Sequence, residues 1–174
     1  IPGVNGGTLV VGGDGRYGNR RAIDVILRMG AAHGLSKVIT SVDGILSTPA
    51  ASHLIRRNHA IGGIILSASH NSGGPDGDFG VKVNGSNGGP APESLTDAIF
   101  KCTQTLTQYK TLDCSQISLD CVGKHFIFGM EVEVVDGVED YLILMQKLFD
   151  FDRIRFLISG DFSIAFDALN AVTG

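Results

Sequence analysis

Apolar residues along this chain fall into short blocks separated by polar, glycine-rich gaps, and the blocks alternate between strand-like and helix-like periods. Thr8–Val11 predicts a strand, closed by the turn Gly12-Gly13-Asp14-Gly15. Over residues 20–33, Ala22, Ile23, Ile26, Leu27 and Gly30 recur at helical spacing. Lys37–Ser41 is a second β-rich run, followed by a loop from Gly44 to Pro49. Thr48 as cap, with Pro49 in the first turn, predicts a helix to about Arg57. Ile61–Leu66 is nearly all apolar, as a strand covered on both faces should be, and Phe79–Val83 alternates as a fourth strand. Strands alternating with helices imply an α/β layered domain with a largely parallel sheet.

The second half is less regular. Pro90-Ala91-Pro92 opens a helix to about Leu106, and residues 108–130 show no clear period. Glu131–Val135 predicts a short strand. Val138, Tyr141, Leu142, Met145, Leu148 and Phe149 then mark an amphipathic helix expected to lie against the core, with a further helical stretch over Asp152–Ser159. Ile164–Phe166 predicts the start of one more apolar strand.

Composition narrows the class. The chain has 174 residues, 43% of them hydrophobic, which suits one domain, or one plus a remnant, with a full core. No apolar run approaches the roughly 20 residues a bilayer requires, and no leader opens the chain, so a cytoplasmic protein with no membrane partner is expected. Cys102, Cys114 and Cys121 form no CxxC pair and read as reduced, structural thiols. The net charge of −4 is uneven: residues 1–60 carry seven Lys/Arg against three Asp, residues 61–174 seven against fifteen acidic residues. A basic front half suits an anionic substrate, while the acidic remainder argues against a nucleic-acid partner.

Two loops carry candidate chemistry. Gly13-Asp14-Gly15-Arg16-Tyr17-Gly18 satisfies G-x-G-x-x-G between a strand and a helix, with Asp43 placed like a ribose-binding carboxylate, so a dinucleotide-binding domain is one reading. Against it, Asp14 would face a pyrophosphate that wants bare N–H groups, offset only partly by Arg16. The other loop follows Leu66: Ser69 is a candidate nucleophile, His70 lies beside it, and Lys82 returns on the next extended segment. No G-x-S-x-G elbow supports a Ser-His-Asp hydrolase, and a polar loop at a sheet edge is the plain alternative.

Ser67-Ala68-Ser69-His70-Asn71, followed by Gly73-Gly74-Pro75-Asp76-Gly77-Asp78-Phe79-Gly80-Val81-Lys82, closely resembles the phosphoserine loop of the α-D-phosphohexomutase family, nearest its phosphoglucomutase and parafusin-like branch. The stretches Val10 to Arg16, Asp43 to Ala50, Ser86 to Glu93, Val138 to Phe151 and Phe166 to Gly174 are similar to that family too. The resemblance implies a three-layer αβα sandwich with a mixed, mostly parallel sheet. It places the first, phosphoserine-bearing domain at 1–160, without its N-terminal strand, and a truncated start of the second at 161–174. It further implies that Ser69 carries a phosphoryl group between glucose 1-phosphate and glucose 6-phosphate, with glucose 1,6-bisphosphate as intermediate and activator. Mg²⁺ would sit on the serine phosphate, Lys82 and His70 would assist, and Asn71, Asp78 and Arg16 would support the loop. A non-catalytic, phosphorylatable parafusin-like module is the alternative within the same family.

Departures from the family pattern set further expectations. Ser67 and Ser72 replace the family's threonine and proline, and losing the proline should loosen the loop. Gly18 and Asn170 stand where the family carries a bulkier residue and a histidine. The family's N-terminal arginine strand, its D-G-D-x-D-R metal loop, its sugar-recognition loop and its distal phosphate site have no counterpart here. Asp76-Gly77-Asp78 mimics two metal carboxylates, but Gly80 stands at the third. Negligible mutase turnover is therefore expected from this polypeptide alone, its full site needing the missing domains.

Overall fold

A computed structural model of the chain describes residues 4–169. The elements in chain order are β1 (Thr8–Gly13), α1 (Asn19–Ala32), β2 (Lys37–Ser41), a 3-10 turn (Val42–Gly44), α2 (Thr48–Arg57), β3 (Gly62–Leu66), β4 (Val81–Gly85), α3 (Glu93–Thr105), β5 (Gly123–Ile127), β6 (Met130–Val135), α4 (Glu139–Leu148) and α5 (Phe151–Ile158). All six strands join one sheet in the order β4-β3-β1-β2-β6-β5. The pairs β1–β2, β1–β3 and β2–β6 are parallel, and the edge strands β4 and β5 run antiparallel to their neighbours.

Strand alternation sends successive side chains to opposite faces and so builds two cores. On one face Val11, Val38, Leu66 and Val132 pack with Ile23 and Leu27, the buried stripe of α1. On the other, Val10, Ile39 and Ile65 pack with Ala50, Ala51, Leu54 and Ile55 of α2. Helices thus cover both faces of a mixed, mostly parallel sheet, the expected αβα layering. The parallel strands all end on one edge, where ligands bind in open α/β folds.

Several expectations need correction. Ser47, not Thr48, caps α2, its hydroxyl accepting from the Ala50 amide at 3.3 Å; Thr48 is already helical, and Pro49 sits in the first turn as expected. The featureless stretch 108–130 hides β5, whose hairpin with β6 turns at Phe128-Gly129 with φ of 46° and 92°. That two-residue turn with a glycine was the available signal. The helix expected against the core exists as α4 but buries no residue; only Tyr141 packs partly against the α2 face, and Leu142, Ile143 and Leu148 stay exposed. Ile164–Phe166 belongs to no strand, and the similarity noted at 170–174, with Asn170, lies outside the described residues. Cys102 and Cys121 are exposed and so contribute no packing, whereas Cys114 is half-buried beside the α1-face core. Among the described residues no helix is long and apolar enough to cross a membrane.

Candidate active site around Ser69

The serine loop spans residues 67–80 between two hydrogen-bonded antiparallel strands. Leu66, wholly buried, pairs with Val81, and Ile65 pairs with Lys82, so the loop starts and ends on fixed backbone. The Ser67 amide donates to the Gly80 carbonyl at 2.9 Å, extending that ladder one step into the loop. Lys82 therefore leaves β4 two residues beyond the closure, and its Nζ donates to Ser69 Oγ at 2.6 Å. Both residues are exposed. A candidate nucleophile's hydroxyl and an ammonium thus meet at the C-terminal edge of the sheet, open to solvent.

Ser69 adopts the left-handed region, with φ of 56°. For a residue with a β-carbon this costs on the order of 1 kcal/mol, and it persists only where the surroundings enforce it. The enforcement is visible. The Ser69 amide donates to Ser67 Oγ at 3.0 Å. Arg16, its side chain only 7% exposed, donates to both Asp14 carboxylate oxygens, at 2.9 Å from Nε and 2.8 Å from Nη2. The same guanidinium reaches the carbonyls of Asp78 at 2.5 Å and Ser69 at 3.4 Å. Farther along, Asn71 Nδ2 donates to Asp78 Oδ2 at 2.9 Å, and the Asp78 amide donates to the Ser72 carbonyl at 2.9 Å.

The expected supporting set of Arg16, Asn71 and Asp78 is brought together around the loop, and Ser69 with Lys82 forms its chemical centre. His70 is exposed, and among the described residues it makes no side-chain hydrogen bond; the structure does not bring its ring to Ser69 Oγ. Sequence reasoning missed two members. Asp14 looked like an obstacle to a phosphate, yet it is the anchor on which Arg16 is held. Ser67 was named only as a replacement for the family's threonine, yet it is buried and its hydroxyl accepts from the Ser69 amide. Ser72 in place of proline still closes the loop, because the bond uses its carbonyl, which any residue supplies. Arg16 and the serine loop thus occupy the glycine turn that resembled a dinucleotide motif. Asp43, the supposed ribose carboxylate, sits in the 3-10 turn with its amide bonded to the Leu119 carbonyl at 2.9 Å.

Burial pushes the Asp14 carboxyl up, but hydrogen bonds from the Arg16 side chain, the Ser67 hydroxyl and the Arg16 amide outweigh it and hold the group below the usual carboxylate range. A carboxyl whose folded pKa is depressed stabilises the fold above its unfolded pKa, about 3.9, and loses that contribution as pH falls through the folded value. Urea unfolding in a pH series below about pH 4 is therefore expected to show an acid loss of stability that Asp14→Asn blunts. An unchanged slope in the variant would remove Asp14 from this role.

Comparison with known proteins places this chain in a family. The domain family described as phosphoglucomutase/phosphomannomutase, alpha/beta/alpha domain I, matches residues 3–110. A phosphoglucomutase of Rhizobium radiobacter is 52% identical over all of this chain, and one of Schizosaccharomyces pombe is 50% identical over 99% of it. The chain spans 32% of the length of each. The crystal structure of parafusin from Paramecium, described as an exocytosis-sensitive phosphoprotein and phosphoglucomutase in its open form, superposes with a TM-score of 0.90 at 45% identity. That match covers 97% of this chain and 32% of the other.

Proposed function

This chain belongs to the phosphoglucomutase/phosphomannomutase family, and from that membership we propose that Ser69 is the phosphoryl carrier in the interconversion of glucose 1-phosphate and glucose 6-phosphate. The observation that carries the reading is the 2.6 Å contact between Lys82 Nζ and Ser69 Oγ, on a serine held in a strained, exposed conformation. Glucose 1,6-bisphosphate is the phosphoryl donor to the resting serine. Ser69 Oγ forms the new bond to phosphorus as the bond from phosphorus to the sugar oxygen breaks, and the serine proton ends on that sugar oxygen. Phosphoryl transfer of this kind needs positioning and charge neutralisation more than acid–base strength. Lys82 opposes the negative charge on the transferring group, and His70, exposed beside it, is open to exchange protons with the sugar. Arg16, Asn71 and Asp78 keep the loop in shape.

The family resemblance also implies Mg²⁺. Around Ser69 Oγ the chain supplies an ammonium rather than carboxylates, and Asp78 Oδ2 is taken by Asn71. Among the described residues no three His, Cys, Asp or Glu side chains group as metal ligands. These residues do not make a Mg²⁺ site by themselves; a phosphate on Ser69 would be the donor the described residues supply. Since the matched region is about a third of its relatives' length, the complete interconversion is proposed for an architecture of their size, acting on a hexose phosphate in the cytoplasm. Within it residues 1–160 form the phosphoserine domain and 161–174 lead into the next.

The description of the Paramecium relative as a phosphoprotein favours one second reading, in which Ser69 is modified by another enzyme and serves binding or regulation. One experiment separates the two. The chain is incubated with glucose 1,6-bisphosphate alone and analysed by intact-mass spectrometry and peptide mapping. One added phosphoryl group at Ser69, absent in an equally folded Ser69→Ala, is expected. A Ser69 left unmodified both in this chain and in a protein of its relatives' full length that contains it overturns the mutase reading, and labelling that requires ATP and a kinase supports the second.

A further inference from the structure

We propose that Asp14 is the positioning residue for phosphoryl uptake: through Arg16 and through Ser67 it holds the carbonyl and the amide of Ser69 at once, and so keeps Ser69 Oγ against Lys82. This role rests on the reading of Ser69 as the phosphoryl carrier.

Strand pairing sets Asp14 at the base of the serine loop. Gly13 pairs with Leu66 in the parallel β1–β3 ladder, and the Asp14 amide donates to the Leu66 carbonyl at 3.1 Å. The half-buried carboxylate therefore arises beside the peptide that leads into Ser67, where the chain leaves β3.

Two arms run from it to the nucleophile. In the first, Arg16 Nε lies 2.9 and 3.1 Å from the two carboxylate oxygens and Nη2 lies 2.8 Å from Oδ2, a bidentate grip. With the guanidinium fixed there, Nη1 donates to the Asp78 carbonyl at 2.5 Å and Nη2 to the Ser69 carbonyl at 3.4 Å. In the second, the Ser67 hydroxyl accepts from the Ser69 amide at 3.0 Å and gives its own hydrogen to the Asp14 carboxylate. Among the described residues, no other hydrogen bond engages the Ser69 amide or carbonyl. The two peptides that flank Ser69 thus end on one carboxylate, and a side chain with φ of 56° keeps that conformation only while its neighbours enforce it.

Only a carboxylate serves both arms. Its oxygens accept from a guanidinium and a hydroxyl together, whereas an asparagine turns an NH₂ toward one of those donors and releases that arm. Ser69 then relaxes, and Oγ leaves its place 2.6 Å from Lys82 Nζ.

A double-mutant cycle on phosphoryl uptake from glucose 1,6-bisphosphate tests this, read by mass in this chain or in a protein of its relatives' full length that contains it. Asp14→Asn is expected to slow uptake by about 10–10²-fold, as displacing a reacting atom by near 1 Å does. Adding Lys82→Ala to Asp14→Asn should then cost about tenfold at most, because the ammonium no longer faces the oxygen, against about 10²–10³-fold in the parent. A merely structural role would let the two losses multiply in full. Ser67→Ala, which frees the amide arm alone, should slow uptake by about tenfold, and Ser67→Thr should recover most of that loss. Asp24→Asn, which breaks an ion pair with Arg28 at 3.0 Å on α1, should leave the rate unchanged. Circular dichroism and the urea midpoint establish that each rate belongs to folded protein; if Asp14→Asn does not fold, Ser67→Ala and its own cycle with Lys82→Ala decide. A parent that takes up no phosphoryl group overturns the carrier reading and this role with it. A labelled parent whose Asp14→Asn keeps the full rate, or multiplies fully with Lys82→Ala, overturns this proposal alone.

Discussion

Replacing Lys82 with alanine is expected to slow phosphoryl uptake by Ser69 on the order of 10²–10³-fold, the usual loss when one donor aimed at a developing charge is removed. The side chain meets Ser69 Oγ at 2.6 Å, so removing it strips the nearest positive charge from the reacting oxygen. Stability should hardly move. Lys82 is exposed on an edge strand and makes no buried contact, and such substitutions stay within about 0.5 kcal/mol. Lys82→Arg should recover only part of the rate, because a planar fork does not reproduce a compact ammonium at that distance. Rates come from quenched time courses with glucose 1,6-bisphosphate, read by mass. A full rate in Lys82→Ala would show that the contact with Ser69 is incidental.

Gly80→Ala is expected to damage fold and chemistry together. A β-carbon at Gly80 would overlap the carbonyl oxygen of Ser67 and lie 2.9 Å from that carbonyl's carbon and 3.1 Å from Ala68 Cα. All of these are backbone, and they are pinned because Ser67 follows the wholly buried Leu66. Relief requires the loop to open at its base, breaking the bond from the Ser67 amide to the Gly80 carbonyl. Overpacking of this kind costs about 1–3 kcal/mol, read as a lower urea midpoint. Ser67 also holds the Ser69 amide, so the serine moves with it; a misplacement near 1 Å can cost ~10²-fold in rate. Unlike Lys82→Ala, this variant should lose stability and rate in the same sample. Loss of neither would mean that the loop base is looser than its contacts imply.

Much of the site was legible because its chemistry lies in one continuous string. Ser69, Lys82, Asn71 and Asp78 all fall within residues 69–82, and the spacing that makes them a motif also makes them neighbours once the strands pair. Arg16 could be named from its own motif, but its partners could not. The guanidinium joins a turn after β1 to a loop after β3, and only the parallel pairing of those strands, with Gly13 beside Leu66, brings them within reach. Asp14 was misjudged, and the part played by Ser67 went unseen, for the same reason. A carboxylate beside a glycine turn repels a phosphate if it is free, yet it supports the site if an arginine has already taken it.

Local sequence by itself determined the four parallel strands and α1 (from apolar spacing), α2 (from a proline in its first turn) and the glycine-rich loop that bears the serine (from its residue string). Those features follow from residues adjacent in the chain, whose apolar spacing burial rewards and whose prolines and glycines restrict or free the backbone wherever the chain goes. Tertiary structure alone decided the rest: the left-handed serine, the arginine clamp and the exposed sides of α3, α4 and α5. Each depends on what lies opposite a residue rather than beside it in the chain. An amphipathic stripe specifies a helix and the face it would bury, but leaves unspecified what covers that face.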